Sequence, residues 1–395
     1  MSVGTLVFAH DYPFIAGPDG NVYSDRGNWP WDRYLAFADR LTVVSRMREL
    51  PADASTQALT RVSAPGVHFQ AIPSLSGPLI QFTNSREARR RLHAALSQAD
   101  ALIARLPSEI GTAAVEVAEK LGKPWGVELV TCPWDSFWNF GTLQGKVYAP
   151  IAWWKTRRVA GRAPHATYET QRFLQRRYPP GGRTVSCPSV EVPDFEEAVL
   201  ERRIARIEHW QEPLRIGLIG ALSVGFKGID TAIEALRRER ARLPRFELRV
   251  LGSGDPARWR RLAERADLAD AVRFDGMLPS GEPVYRWLDD IDLYVQPSFQ
   301  EGLPRSTLEA MSRGCPTLGS TAGGIPELLE PGSVHAPGDA EQLGRLIARA
   351  AQDRDWQRDQ ARRNFALAKR FTKARLDAVR VQFWQELVPP ERQPA

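Results

Sequence analysis

Residues 297–329 read PSFQEGLPRSTLEAMSRGCPTLGSTAGGIPELL. They follow an apolar run at 293–297 with the length and composition of a buried strand. Pro304 suits the first turn of a helix, where its missing N–H would have no partner anyway. The segment therefore predicts a strand, a loop, a helix over 305–313 and a second strand at 316–319. In open parallel sheets ligands bind beyond the carboxyl ends of strands, which is where this loop falls. The helix start offers free N–H groups and partial positive charge, a ready site for a diphosphate. Gly302, with no Cβ, allows a close backbone approach there. Glu309 lies five residues after Pro304, roughly 7.5 Å along the helix axis. A carboxylate at that distance accepts ribose hydroxyls, as the acidic residue of a dinucleotide fold does. Glu301, at the other end, takes the hydroxyls of a sugar beyond the diphosphate. Two carboxylates bracketing an anion-binding helix start predict a nucleotide-sugar site.

The alternation extends in both directions. Further strands are predicted at 214–219, 247–251 and 272–274, with helices at 229–238, 258–266, 282–289 and 340–351. In the first half the strands fall at 5–10, 41–45, 101–105 and 125–131, with helices at 85–98 and 112–121. This rhythm argues for βαβ units and a parallel, doubly wound sheet. It pauses at 186–213, where prolines flank a charged helical stretch, and then restarts. A chain of 395 residues is too long for one ordinary core. The expectation is two Rossmann-like α/β domains: 1–195, a linker at 196–213, a second domain at 214–370, and a terminal helix at 371–395 crossing back to the first.

Glu301 and Glu309 have an E-x7-E spacing, and EGLPRSTLEAMSRGCPTLGSTAGGIPELL resembles the signature of retaining GT-B glycosyltransferases of family 4. Upstream, IGLIGALSVGFKGIDTAIEAL resembles that family's glycine turn followed by Lys-Gly at a helix start. LRVLGSGDPARWRRLAERADLADAVRFDGMLPSGEPVYRWLDDIDLYVQPS resembles the body of its donor domain. The likeness is dense over 215–329 and loose in the first half. It implies a GT-B fold, two Rossmann-like domains facing a cleft, the first on the acceptor side and the second holding the donor. It also implies a retaining hexosyltransferase using a UDP- or GDP-linked sugar, with no cofactor and no metal.

Residue by residue, Lys227 matches the lysine that neutralises the donor diphosphate, followed by Gly228. Glu301 matches the glutamate over the donor sugar, and Glu309 the one that binds the ribose. Gly302, Leu303 and Pro304 match the loop facing sugar and phosphates. Gly276, Met277 and Leu278 match the place where backbone groups hold the base. Turnover is implied to rest on Glu301 and Lys227, with the leaving phosphate accepting the acceptor's proton on the same face and no covalent nucleophile.

The chain departs from the pattern in three places. Ala221 stands where the family usually has arginine. The double-glycine loop near the N-terminus is absent, although Gly17, Gly20 and Gly27 sit in a comparable loop. Cys132, Trp134 and Asp135 replace the frequent histidine after the fourth strand. On the acceptor side the candidates are His10, Asp11, Gly20 and Asp135, with a structural role open for His10 and Asp11. Asp289, Asp290 and Asp292 invite a metal reading, but a helix cap explains them better.

The formal net charge of +6 is unevenly spread: residues 1–195 hold 22 Lys and Arg against 17 Asp and Glu. Within 146–183 there are nine basic residues and one acidic one, Glu169, interleaved with Tyr148, Trp153 and Trp154. Aromatics beside cations suit an anionic membrane surface or a lipid-diphosphate acceptor; a solvated helix face with buried tryptophans is the plainer alternative. Nucleic acid is not expected, since no binding motif accompanies the charge. No run is long enough to span a bilayer, and the start lacks the pattern of a signal peptide. Three scattered cysteines predict no disulfide framework and fit a reducing cytoplasm. The functional expectation is transfer to a lipid-linked or growing polysaccharide, in the cytoplasm or peripherally on the inner membrane face. A soluble small-molecule acceptor and a non-catalytic sugar-nucleotide-binding scaffold remain open.

Overall fold

In the computed structural model, which describes residues 3–388 except 26, 28, 52–54 and 58, the chain builds two separate sheets. The first contains β1 (Val3–Ala16), β2 (Val22–Ser24), β3 (Ala38–Glu49), β4 (Thr60–Arg61), β5 (Val67–Ala71), β6 (Ala101–Leu106), β7 (Trp125–Leu129), β8 (His165–Tyr168) and β9 (Arg183–Ser186). Its parallel strands run β5-β3-β1-β6-β7-β8-β9, with β2 and β4 added antiparallel at the end of β1. The second contains β10 (Leu214–Ile219), β11 (Phe246–Leu251), β12 (Val272–Gly276), β13 (Leu293–Gln296), β14 (Thr317–Ser320) and β15 (Val334–His335). All six are parallel, in the order β12-β11-β10-β13-β14-β15. Helices cover both sheets, so β13 and β14 are buried along their whole length, including the polar Gln296, Thr317 and Ser320. Each sheet reverses its winding at one place, between β1 and β6 and between β10 and β13. Such switch points open the crevices in which doubly wound folds bind ligands.

Several elements differ from the sequence expectation. The first strand does not end at residue 10 but continues to Ala16, with its register against β3 shifting between Ala9 and Pro13. Strands β2, β4, β5, β8, β9 and β15 are not among the expected ones; they are short and partly polar. The charged helical stretch expected within the linker forms as Glu197–Glu208, but it is built onto the second domain. Its Arg203 is buried and donates to the carbonyls of Leu288 (2.8 Å) and Arg313 (3.1 Å), satisfying helix-end oxygens. Of the acidic cluster, Asp290 is the C-cap of the helix Glu282–Asp289 through its backbone N–H, while the side chains form ion pairs. Asp289 pairs with Arg313 (2.6 Å), Asp290 with Arg215 and Arg249 (2.7 Å each), and Asp292 with Arg206 (2.9 Å).

Two helices close the chain, Arg354–Ala368 and Lys373–Gln385. The second lies in the first domain, where Phe383, Trp384, Leu387 and Val388 join the core of Leu6, Phe8 and Ile103. The Trp384 ring lies so close over β7 that a Cβ on Gly126 would come within 2.5 Å of it. The end of the expected terminal helix, 389–395, lies outside the described residues. Among the described residues, no helix is long and apolar enough to cross a membrane.

Candidate functional site

The sequence-predicted donor residues converge on the β10/β13 switch point. After β10 the chain passes through a turn at Gly225–Lys227 into the helix Ile229–Glu239. Between turn and helix, Gly228 adopts a left-handed conformation with φ 73°, and a Cβ there would collide with the Pro297 carbonyl. Only glycine therefore lets this loop rest on the one that follows β13. Gly228→Ala is expected to cost roughly 2 kcal/mol or more of stability from backbone strain and the clash together. Urea unfolding measures it, and a loss below about 0.5 kcal/mol would remove this account of the loop.

The contact sets Lys227 against Glu301, with Nζ donating to Oε1 at 2.7 Å. The same oxygen accepts from Ser298 Oγ (2.8 Å) and Gln296 Nε2 (3.2 Å). Gln296 is itself held, its Oε1 accepting from the Tyr294 hydroxyl (2.6 Å) and Ser306 Oγ (2.9 Å). A buried polar ladder thus fixes one carboxylate oxygen of Glu301, while Oε2 has no hydrogen-bond partner among the described residues. Sequence reasoning missed Gln296, Ser298 and Ser306. The available signal was a glutamine inside an apolar strand with a serine two residues on, both on one side of the chain.

Pro304 lies one residue earlier than expected, as the N-cap of the helix Arg305–Ser312 rather than in its first turn. Leu303 is buried among Val192, Ile325 and Phe371, leaving its backbone rather than its side chain for a ligand. Glu309 sits on the next turn, 7 % exposed, and its carboxylate has no hydrogen-bond partner among the described residues. Burial pushes its carboxyl up to about 7, against the pull of Arg305 one turn earlier. At the end of β12 Met277 is 75 % exposed, while Leu278 packs against the cluster around Trp287.

Gly302 makes its close approach to the first domain, where a Cβ would come 2.5 Å from the Val130 carbonyl oxygen. Its own carbonyl accepts from Gly324 N (2.7 Å). Nearby, the Glu327 carboxylate accepts from the N–H groups of Gln171, Arg172 (2.9 Å) and Phe173 (2.7 Å). Asn139 Nδ2 donates to the Phe299 carbonyl (3.4 Å). The two domains therefore touch along 299–302 and 324–327, beside Glu301. Glu327 gave no sequence signal, because its partners lie more than 150 residues away.

The acceptor-side candidates are more scattered. The His10 carbonyl accepts from Ser45 Oγ (2.7 Å), and its ring lies 5.8 Å from that of Trp29. Asp11 reaches the first domain's switch point and accepts from Glu109 N (2.5 Å) at the start of the helix Glu109–Lys120. Burial raises its carboxyl, and hydrogen bonds at that helix start oppose the shift. Asp135 pairs with Arg177 (2.8 Å). Gly20 lies exposed in the turn between β1 and β2. Asp11 and Asp135 are thus engaged within their own domain.

Comparison with known proteins gives a consistent result. A family model described as glycosyl transferases group 1 matches residues 213–353. Protein CapJ of Staphylococcus aureus is 26 % identical over 91 % of this chain and 89 % of its own. The amylovoran biosynthesis glycosyltransferase AmsK of Erwinia amylovora is 35 % identical over 36 % of this chain and 37 % of its own. Among solved structures, Anabaena Alr3699/HepE in complex with UDP-glucose superimposes with a TM-score of 0.64 at 16 % identity. That match covers 96 % of this chain and 98 % of the other, and it places the fold among GT-B structures.

Proposed function

Because the chain belongs to the glycosyl transferases group 1 family and is a retaining glycosyltransferase, we propose that its donor is a UDP-linked sugar held at the β10/β13 crevice. The observation that carries this is the pair of carboxylates with unused oxygens, Glu301 and Glu309, on either side of the start of the Arg305–Ser312 helix. The diphosphate rests at that helix start beside Lys227, whose ammonium turns from Glu301 toward the phosphates. Glu309 accepts the ribose hydroxyls, and the backbone at 276–278 meets the base. Glu301 accepts hydroxyls of the transferred sugar through Oε2. Lys227 and the helix N–H groups meet the charge that develops on the leaving phosphate, so no metal takes part. The leaving oxygen then accepts the proton of the attacking hydroxyl on the same face of the sugar. HepE, with UDP-glucose bound, supports the choice of base.

The acceptor is a lipid-linked or growing polysaccharide, and the enzyme works from the cytoplasm on the inner membrane face. The likeness to a transferase of amylovoran biosynthesis supports this assignment. A thermal-shift and hydrolysis screen over UDP-, GDP- and ADP-sugars tests the donor. UDP-sugars are expected to raise Tm by several degrees, as ligand at about 100 times Kd stabilises by roughly 2.7 kcal/mol. Lys227→Ala is expected to lose most of that rise. A shift confined to GDP- or ADP-sugars overturns the choice of base, and no shift with any of them overturns the site.

A further inference from the structure

Among the described residues, six of the nine large apolar side chains that stand exposed lie between 138 and 154. Leu143 (78 %), Val147 (63 %), Ile151 and Trp154 recur at helical spacing on one face of the helix Leu143–Ala160. Trp138 and Phe140 extend the stripe backward. The opposite face, with Ala149, Ala152, Thr156 and Val159, is buried against the domain. The stripe is therefore a surface the fold leaves open, and soluble surfaces rarely expose so continuous an apolar patch without a partner.

The surrounding charge selects the partner. The helix contains no Asp or Glu. Much of the basic excess over 146–183 is neutralised internally: Lys155 pairs with Glu109, Arg162 with Glu119, Arg177 with Asp135 and Arg183 with Glu386. Two cations flanking the stripe have no carboxylate partner among the described residues. Lys146 lies over the Trp138 ring (5.7 Å) and Arg158 over the Trp154 ring (5.4 Å). Arg158 and Trp154 also line a cavity of about 330 Å³ beside the stripe. Aliphatic centre, tryptophans at both ends and unpaired cations at the rim match a bilayer interface. A glycan would need hydrogen-bonding groups that Leu143, Val147 and Ile151 lack.

The stripe also begins at the cleft, since Asn139 donates to the Phe299 carbonyl two residues before Glu301. We propose that the Trp138–Trp154 face docks on a bilayer carrying anionic headgroups, bringing a membrane-borne acceptor to the cleft mouth. This rests on the proposed lipid-linked acceptor and specifies how the enzyme reaches it.

The test is flotation of the full chain with phosphatidylcholine vesicles, with and without about 30 % phosphatidylglycerol, at low ionic strength. At least tenfold more protein is expected on the anionic vesicles. The triple variant Leu143→Ser/Val147→Ser/Ile151→Ser is expected to lose about tenfold or more of that binding. Lys146→Glu/Arg158→Glu should lose a similar share and abolish the anionic preference. Both variants should keep the wild-type thermal shift with UDP-glucose, which also reports that they fold. Equal binding to neutral vesicles, or a triple variant that floats like wild type, overturns the proposal. So does a solution dimer that the triple variant dissociates, because a second copy then covers the face. Wild type that floats as described but responds to no nucleotide sugar leaves the docking face standing and removes the donor site.

Discussion

A Glu301→Ala enzyme is expected to fold normally and to lose turnover by roughly a thousandfold, the size of effect seen when one preorganised polar partner of a transition state is removed. The carboxylate is held by three donors on Oε1, from Lys227, Ser298 and Gln296. In the proposed donor complex Lys227 turns to the phosphates, but Ser298 and Gln296 still hold Oε1, so the carboxylate would meet the sugar with little freedom left to lose. The substitution strands Lys227, whose side chain is 22 % exposed and can reach water, so the stability loss should stay near 1–2 kcal/mol. Lys227→Ala should lower kcat/KM by a similar factor. The double variant should be little worse than either single one, since the two residues act on one donor as a unit. Glu301→Gln separates charge from geometry. It keeps an acceptor oxygen but no longer welcomes Lys227, and recovery beyond about a tenth of wild-type activity would mean that hydrogen bonding suffices. If either alanine variant keeps kcat/KM within tenfold of wild type, with circular dichroism unchanged, the donor-site assignment is lost.

How far the sequence could be read depends on where each residue's partners lie. Strands β10, β11, β13 and β14 were legible to within a residue or two, because short runs centred on Leu, Ile or Val alternate with helical segments there. Strand β9, RTVS, lies at a sheet edge with two exposed residues, so its sequence carries no such run. The placement of Glu301 and Glu309 about one helix start was legible from local spacing, whereas Lys227 entered through the family resemblance alone, its partner Glu301 lying 74 residues away. The ladder beneath Glu301 was not: Gln296 inside LYVQPS declares itself only when Tyr294, Ser306 and Glu301 converge on it. The basic stretch failed for a related reason. A running sum sees nine cations in 146–183 but not Glu109 or Glu119, which lie 46 and 43 residues before the cations they neutralise. What remains after pairing is a smaller charge beside an apolar face, and it is the face that composition could not locate.

Glu309→Gln is expected to do two opposite things, weakening the donor while strengthening the fold. The Glu309 carboxyl stands at about 7 against an ordinary value of 4.5, because burial disfavours its charge and only Arg305 opposes this. Between those values the folded chain binds more protons than the unfolded one, so stability falls as pH rises through the window. The whole penalty is present above pH 7, and a shift of that size corresponds to roughly 3 kcal/mol at most. Glutamine removes the charge and hence the penalty. In the absence of donor, the variant should be more stable than wild type at pH 8.5 by about 1–3 kcal/mol and nearly equal to it at about pH 4. Urea unfolding at the two pH values reads the difference. At the proposed donor site binding would run the other way: ribose hydroxyls would donate to the ionised form, and each charge-assisted bond is worth about 1.5–3 kcal/mol. Wild-type affinity for UDP-glucose should therefore fall about tenfold per pH unit below 7, in a range where the sugar diphosphate does not itself titrate. The variant should bind roughly a hundredfold more weakly, with no such slope. A variant that loses affinity yet keeps the wild-type slope would assign the titration to another group. One that gains no stability at high pH would mean that the carboxylate already has a partner in the free enzyme, and the ribose would have to be held elsewhere.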